Sequence, residues 1–305
     1  MQEHSLTDAI IRASEYLLDI QRQDGLWEDY DLPVGKSDEW ISAFTGLAII
    51  DAENLGLIRA RPQLTCTAIT LVQRQRTTGG WGYNRQCKPD TDSTSFVCKF
   101  LQEMGWTIDS KSAHFIESHW RPDEGCFATY QGPLAWGNGH WDVTPYAAMS
   151  VSDAARINVV PAFLNSLEKH RLRANGWQSY WWSNNLYSTM ITLEVLTRLS
   201  QIHKILPFTE FQDHPPSTPF EIACLMQIGH YANWSKEKIA VLTNSLLSCQ
   251  LGNGSWEGSP QLRVTAPQCD TPWIEPIGDL YIDTNSTVTT SLAIRSLASQ
   301  ARSCF

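Results

Sequence analysis

Six times along this chain a short polar phrase ending in Ser or Thr opens into an apolar stretch of helical length. Aligned on that hydroxyl, the phrases are Asp38-Glu39-Trp40-Ile41-Ser42, Asp90-Thr91-Asp92-Ser93-Thr94, His140-Trp141-Asp142-Val143-Thr144, Asn185-Leu186-Tyr187-Ser188-Thr189, His214-Pro215-Pro216-Ser217-Thr218 and Asp283-Thr284-Asn285-Ser286-Thr287. A chain that writes one helix start six times belongs to a repeat architecture, in which each unit buries its apolar face only against its neighbours. The intervals are 52 residues from Ser42 to Thr94, 50 to Thr144 and 45 to Thr189, then 29 to Thr218 and 69 to Thr287. An outer helix precedes each inner one: the spacing of Ile10, Ala13, Leu17 and Ile20 predicts one over 6–22, and others fall near 62–76, 110–119, 160–173 and 235–250. In the short fifth unit the outer helix is short or replaced by the segment 201–213. The long sixth unit leaves a loop before Asp283 that is expected to fold over one end, because loops of that length inside a domain are usually functional. The pattern predicts an all-α fold: a single (α/α)6 barrel over residues 1–305. An open solenoid with polar caps is the alternative.

Two residues into the repeated phrase, equivalent positions hold Trp40, Asp92, Asp142, Tyr187, Pro216 and Asn285, so only the second and third copies place a carboxylate there. Composition narrows the partners. The net charge of -9 argues against nucleic acid, whose phosphates call for a basic face. Eight cysteines without a C-x-x-C pair favour reduced thiols in a cytoplasmic protein. The polar start Met1-Gln2-Glu3-His4-Ser5 predicts no signal peptide, and no apolar run reaches the roughly 20 residues of a membrane span.

The turns between outer and inner helices carry a resemblance. Gln21-x-x-x-Gly25-x-Trp27, Gln75-x-x-x-Gly79-x-Trp81 and Gln250-x-x-x-Gly254-x-Trp256 resemble the QW repeat of the squalene cyclase and class II terpene cyclase superfamily, with degenerate copies at Gly125 and Gly176. The Gln can bond the exposed backbone at a neighbouring helix end while the Trp covers it, so Gln21, Trp27, Trp81 and Trp256 read as staples. Asp90-Thr91-Asp92-Ser93-Thr94 is similar to that superfamily's acid motif, D-x-D-D-T-A in squalene-hopene cyclases. The resemblance makes Asp92 the acid that protonates an alkene or epoxide, with Asp90 as its flanking carboxylate. Ser93 stands where squalene-hopene cyclases have a third Asp, and oxidosqualene cyclases also lack that Asp.

Chemistry on these residues is consistent with that role. Two carboxylates two residues apart at a helix start can share a proton, which raises one apparent pKa. The helix's positive end then favours the conjugate base after transfer. Asp142 supplies a further carboxylate and His140 is a candidate partner of the acid. A carbocation wants aromatic faces, which stabilise charge without offering a nucleophile. Trp40, Trp141 and Tyr187 are expected around the cavity, with Phe96, Trp181 and Tyr281 as further substrate contacts. Asp283, like Asp38, reads as a helix cap and is also a candidate at the mouth. The expected function is a metal-independent, protonation-initiated cyclase acting on a small isoprenoid without a cofactor. Magnesium would enter only with a diphosphate handle, for which Arg85 and Lys88 are the candidate cations. Ionisation of a diphosphate is not expected, since no D-D-x-x-D cluster occurs.

Three other readings compete. A protein prenyltransferase β-subunit shares the barrel but needs zinc held by Asp, Cys and His. Cys269-Asp270 is in place, yet the last inner stretch lacks a His. A carbohydrate-active (α/α)6 enzyme would use Asp92 and Asp142 as its acid pair and tryptophans as sugar platforms. A non-catalytic lipid-binding barrel is the third.

Overall fold

The tryptophan turns do more than staple neighbours: each one joins the end of an outer helix to the first turn of the inner helix that follows. In the computed structural model, which describes residues 5–172, 176–204, 215–274 and 278–302, Trp27 Nε1–H donates to Leu17 O at 2.6 Å, and the Trp27 backbone N–H donates to Ser42 Oγ at 2.8 Å. Trp81 repeats both bonds, to Leu71 O at 2.6 Å and Thr94 Oγ1 at 3.0 Å. Trp177 does so with Leu167 O and Thr189 Oγ1, and Trp256 with Leu246 O and Thr290 Oγ1. Gln21, Gln75 and Gln250 each donate to the carbonyl of the turn glycine four residues on. They also reach the next outer helix in the ring, at Thr67, Ser112 and Ala9 respectively.

The helices so joined are, in chain order, α1 (Leu6–Asp19), α2 (Glu39–Asn54), α3 (Arg61–Arg74), α4 (Thr91–Glu103), α5 (Ser110–Glu117) and α6 (Thr144–Ser150). They continue with α7 (Asp153–Lys169), α8 (Leu186–Arg198), α9 (Pro219–Tyr231), α10 (Lys236–Ser248) and α11 (Thr287–Arg302). Packing runs α2 on α4, α4 on α6, α6 on α8, α8 on α9, α9 on α11 and α11 back on α2, so six inner helices close a ring. These helices are buried on nearly every side, as α2 is from Glu39 to Ile50. Outer helices bury one stripe only: in α1 it is Ala9, Ile10, Ala13, Ser14 and Leu17. α1, α3, α5, α7 and α10 back the ring from outside.

Four features depart from the sequence expectations. The chain is mostly helical but also carries three two-stranded antiparallel ribbons: β1 (Asp29–Leu32) with β2 (Gly35–Ser37), β3 (Trp120–Arg121) with β4 (Cys126–Phe127), and β5 (Pro260–Val264) with β6 (Asp279–Ile282). These strands are too short to show an alternating pattern. The outer helix expected from 160 begins at Asp153, capped by Ser152, and runs through Pro161. In the sixth copy the register moves by three: the hydroxyl bonded by the Trp turn is Thr290, so the partner of position 92 is Val288 rather than Asn285. In the fifth copy Thr218 is instead an N-cap in a capping box with Glu221. Of the fifth outer segment only a single 3₁₀ turn at Ile202–Lys204 is described, and residues 205–214, like Asn175, lie outside the described residues.

The hydroxyl–tryptophan link makes a sharp expectation. Thr94→Val keeps shape but leaves the buried Trp81 N–H without an acceptor, which costs about 1–3 kcal/mol. Urea unfolding should show that loss with an unchanged m-value. A neutral result would mean the bond does not hold the turn.

Candidate active site

Cross-ring stacking shows that the inner helices open at one end. Trp40 in the first turn of α2 meets Phe96 of α4 at 5.6 Å and Trp182, before α8, at 6.1 Å. Trp182 lies flat on Tyr187 of α8 at 4.0 Å and on Phe220 of α9 at 5.2 Å. Above this aromatic floor is a cavity of about 590 Å³, within the ordinary range for a small-molecule site. Its walls come from the β1–β2 ribbon (Leu32, Val34), from Trp40, Trp181 and Trp182, and from the β5–β6 ribbon (Leu262, Val264, Tyr281). The long sixth-unit loop thus folds over the open end. It is tied there by Arg263 N–H to Trp181 O at 2.7 Å and by Ser183 N–H to Gln261 O.

Into this apolar space projects the start of α4. Asp90 is the N-cap, and its carboxylate accepts Ser93 N–H at 2.7 Å and Ser93 Oγ–H at 2.8 Å. Ser93, the departure from the D-x-D-D pattern, therefore occupies the lone pairs of Asp90. Asp92, two residues on, is treated differently. It keeps part of its surface open onto the cavity, while its Oδ1 is buried with no hydrogen-bond partner. Burial first, then the neighbouring charges of Asp90 and Asp142, push its pKa well above the usual carboxylate range, and the indole N–H of Trp40 opposes them weakly. Asp90 itself is pushed up to about 7, chiefly by burial. Burial and its acidic neighbours thus favour the protonated form of Asp92, whose Oδ1 has no hydrogen-bond partner among the described residues.

Asp142 does a different job. Its Oδ2 accepts the backbone N–H groups of Tyr180 and Trp181 at 2.8 and 2.6 Å, fixing the segment that carries Trp181 and Trp182. Burial raises its pKa to about 6. His140 does not bond Asp92. Its Nδ1 meets Thr129 Oγ1 at 2.8 Å, its ring stacks on Tyr180 at 4.0 Å, and burial lowers its pKa to about 3, so it stays neutral. Because Thr129 Oγ1 also accepts Trp181 Nε1–H at 2.8 Å, His140 sets the wall through Thr129.

The expected aromatic set divides. Trp40, Trp181 and Tyr281 line the cavity. Phe96 and Tyr187 lie beneath it, fully buried in the floor, since their places in the first turns point into the ring axis. Trp141 packs outward on Phe163 and His170 and borders a separate polar pocket with His140. Asp283 is buried, accepting Ser259 and Thr289 N–H, and so anchors the lid rather than facing the cavity. Arg85 and Lys88 are exposed outside it. Sequence reasoning missed Thr129, Tyr130, Leu262, Val264 and Asp279 as wall residues; the length of the sixth-unit loop was the signal that some such lid existed. For magnesium or zinc the donor sets do not assemble: among the described residues no group of three His, Cys, Asp or Glu comes together. Cys269 and Asp270 contact Tyr180 and Asn138 instead, and the seven described cysteines are all free. Among the described residues no helix is long and apolar enough to cross a membrane.

No family model matches the chain, and no curated relative does. Solved structures do. The type II terpene cyclase MstE from Scytonema, in a variant bound to geranylgeranyl dihydroxybenzoate, its substrate, superposes with a TM-score of 0.83 over 97 % of both chains at 22 % identity. The chain has the fold of a type II terpene cyclase. A further MstE variant, bound to its product merosterolic acid A, gives 0.82 at 22 % identity over 97 % of both chains. The ent-copalyl diphosphate synthase from Streptomyces platensis matches at 0.60 and 16 % identity, covering 85 % of this chain and 50 % of its own. Within the terpene-cyclase fold the α4 start sits where its helix dipole and the apolar cavity meet.

Asp90→Asn preserves the cap but removes the nearby charge that helps hold the proton on Asp92. The alkaline limb of any activity carried by Asp92 should therefore move to lower pH. An unmoved limb would show that burial alone sets the acid.

Proposed function

We propose that this protein is a class II cyclase, which closes rings on an isoprenoid by protonating it, with Asp92 as general acid. The observation that carries this reading is a carboxyl group, Asp92, that lines an aromatic and aliphatic cavity and keeps one oxygen without a hydrogen-bond partner, where no Lys, Arg or His lines that cavity among the described residues. The proton passes from Asp92 to the CH carbon of the terminal alkene and leaves a tertiary cation on its dimethyl-bearing carbon. Successive alkenes close on it, and the last cation releases a proton, so product and substrate are isomers. Trp40, Trp181 and Trp182 present ring faces to the moving charge. After transfer the Asp92 anion sits in the first turn of α4, where the helix N-terminus stabilises it. The closed ring of six inner helices with outer helices behind supports a single (α/α)6 barrel with an irregular fifth unit. The reading is of metal-independent acid chemistry in a cytoplasmic protein, on a substrate of the terpene or meroterpenoid class.

The carbohydrate reading is weaker on one observation: Asp142, its second carboxylate, is bonded into the wall and does not line the cavity. The test is incubation with linear prenyl chains of graded length, as hydrocarbons, alcohols, diphosphates and hydroxybenzoates. Cyclic isomers of unchanged mass should form with at least one series. Hydrolysed or uncyclised material throughout would overturn the proposal.

A further inference from the structure

The lid over the cavity carries charge of one sign. From Val264 to Ile282 the chain has no Lys, Arg or His, but it has Asp270, Glu275 and Asp279. Strand alternation in β6 turns Asp279 and Tyr281 to the cavity, while Leu280 and Ile282 point away into solvent. Asp279 is exposed at the mouth. Its one side-chain hydrogen bond among the described residues is a long contact from Tyr281 Oη–H, at 3.5 Å. The other two carboxylates of the cavity are placed differently: Ser93 occupies both oxygens of Asp90, and Asp92 is less exposed, at the start of α4.

Neighbouring cations turn elsewhere. Arg263, between the wall residues Leu262 and Val264, does not line the cavity, and its Nη2–H donates to Ser183 O at 3.0 Å. Lys36 pairs with Glu28 at 3.0 Å and Arg76 with Glu39 at 2.8 Å. Lys88 lines a different pocket. This charge pattern decides which head group can enter. An anion would give up its water against apolar walls, beside Asp279, with no cation to meet it. An uncharged head with one O–H or N–H donor replaces the water that Asp279 loses, and an analogue without the donor leaves that carboxylate unpaired.

We propose that Asp279 selects the head group: the substrate is a prenyl chain ending in an uncharged O–H or N–H donor that bonds the Asp279 carboxylate, and anionic heads, diphosphate or carboxylate, are turned away. Exposure sets the direction, since it rises from Asp92 to Asp279. The assignment rests on the proposed cyclase function, because a chain whose far alkene lies at Asp92 brings its head to the mouth.

The test uses the full chain carrying Asp92→Asn, which binds without turnover, and reads Kd from quenching of tryptophan fluorescence. Four probes of equal prenyl length are compared: the alcohol, its methyl ether, the carboxylate and the diphosphate. With Asp279 in place the alcohol should bind at least tenfold more tightly than each of the other three. Adding Asp279→Asn should close most of the gap to the two anions, and Asp279→Lys should reverse it. Asp270→Asn removes the same charge from the same lid but outside the cavity, where Asp270 accepts from Asn138, and should leave the order unchanged. Tightest binding by either anion while Asp279 is present would overturn the assignment. So would an ether that matches the alcohol, or Asp279 variants that shift all four probes alike. Because this readout needs no chemistry, a wild-type protein that cyclises none of the probes would sink the function and leave the binding order to be judged alone.

Discussion

Asp92→Asn should leave a folded protein that takes up its substrate and cyclises it about 10⁴-fold more slowly, at the upper end of what a positioned general acid contributes. The amide matches the carboxyl in size but has no acidic proton, and Asp90 cannot stand in because Ser93 holds both its oxygens. A companion result separates chemistry from folding. Burial, with Asp90 and Asp142, raises the folded pKa of Asp92 above its unfolded value of about 3.9. The stability this gives is fully present below that unfolded value and is lost as pH rises through the folded one. The Asn variant has no such loss, so its melting temperature should exceed that of the wild type at pH 8, with a smaller gap at pH 5. An Asp92→Asn protein that remains active would contradict the assignment outright. One that unfolds would contradict the reading of Asp92 as strained for function.

Glu194→Ala should be the most destabilising single change, by about 3–5 kcal/mol, because it strands buried cations. Glu194 of α8 is 3 % exposed and bonds Tyr146 Oη–H of α6 at 2.6 Å and Arg295 of α11 at 3.0 Å. Arg198 at 3.1 Å and Lys99 of α4 at 3.8 Å complete the cluster. Burial alone would raise the Glu194 pKa, but Arg295, Lys99 and Arg198 together hold it well below the carboxylate range. Its contribution is therefore present above the unfolded value near 4.3 and lost as pH falls through the folded one. Four inner helices meet at this one carboxylate, below the aromatic floor. Replacing Glu194 by Leu and Arg295 by Met together should recover part of the loss in urea titrations. Equal stability of wild type and Glu194→Ala would show the cluster to be solvated.

The ring of helices was legible because its signals are local. Gln21, Gly25 and Trp27 lie within one turn, and the same bonds recur at Trp81 and Trp256. The degenerate turn at Gly125 keeps the essential bond, Phe127 N–H to Thr144 Oγ1 at 2.8 Å, because a backbone donor needs no particular side chain. The start of α4 was legible for the same reason. What sequence could not give was direction around the ring. Phe96, Tyr187 and Trp141 sit near helix starts as Trp40 does, yet which side of a first turn faces the cavity depends on how neighbouring helices cross. The sixth register was misread because Thr287 and Thr290 are both hydroxyls one turn apart, and only the bond from Trp256 chooses between them. The separation of Asp142 from Asp92 in role was also hidden, since it depends on where the Tyr180–Trp181 backbone comes to rest.

The central claim is that a hydrogen exchangeable with solvent moves from Asp92 onto substrate carbon. Turnover in deuterium oxide reads this directly by mass and NMR. One deuterium should be fixed at the carbon that was the CH of the chain's last alkene, and none in reactions with the Asp92→Asn protein. A cyclic product without deuterium at that carbon, or one formed with loss of a diphosphate, would contradict it.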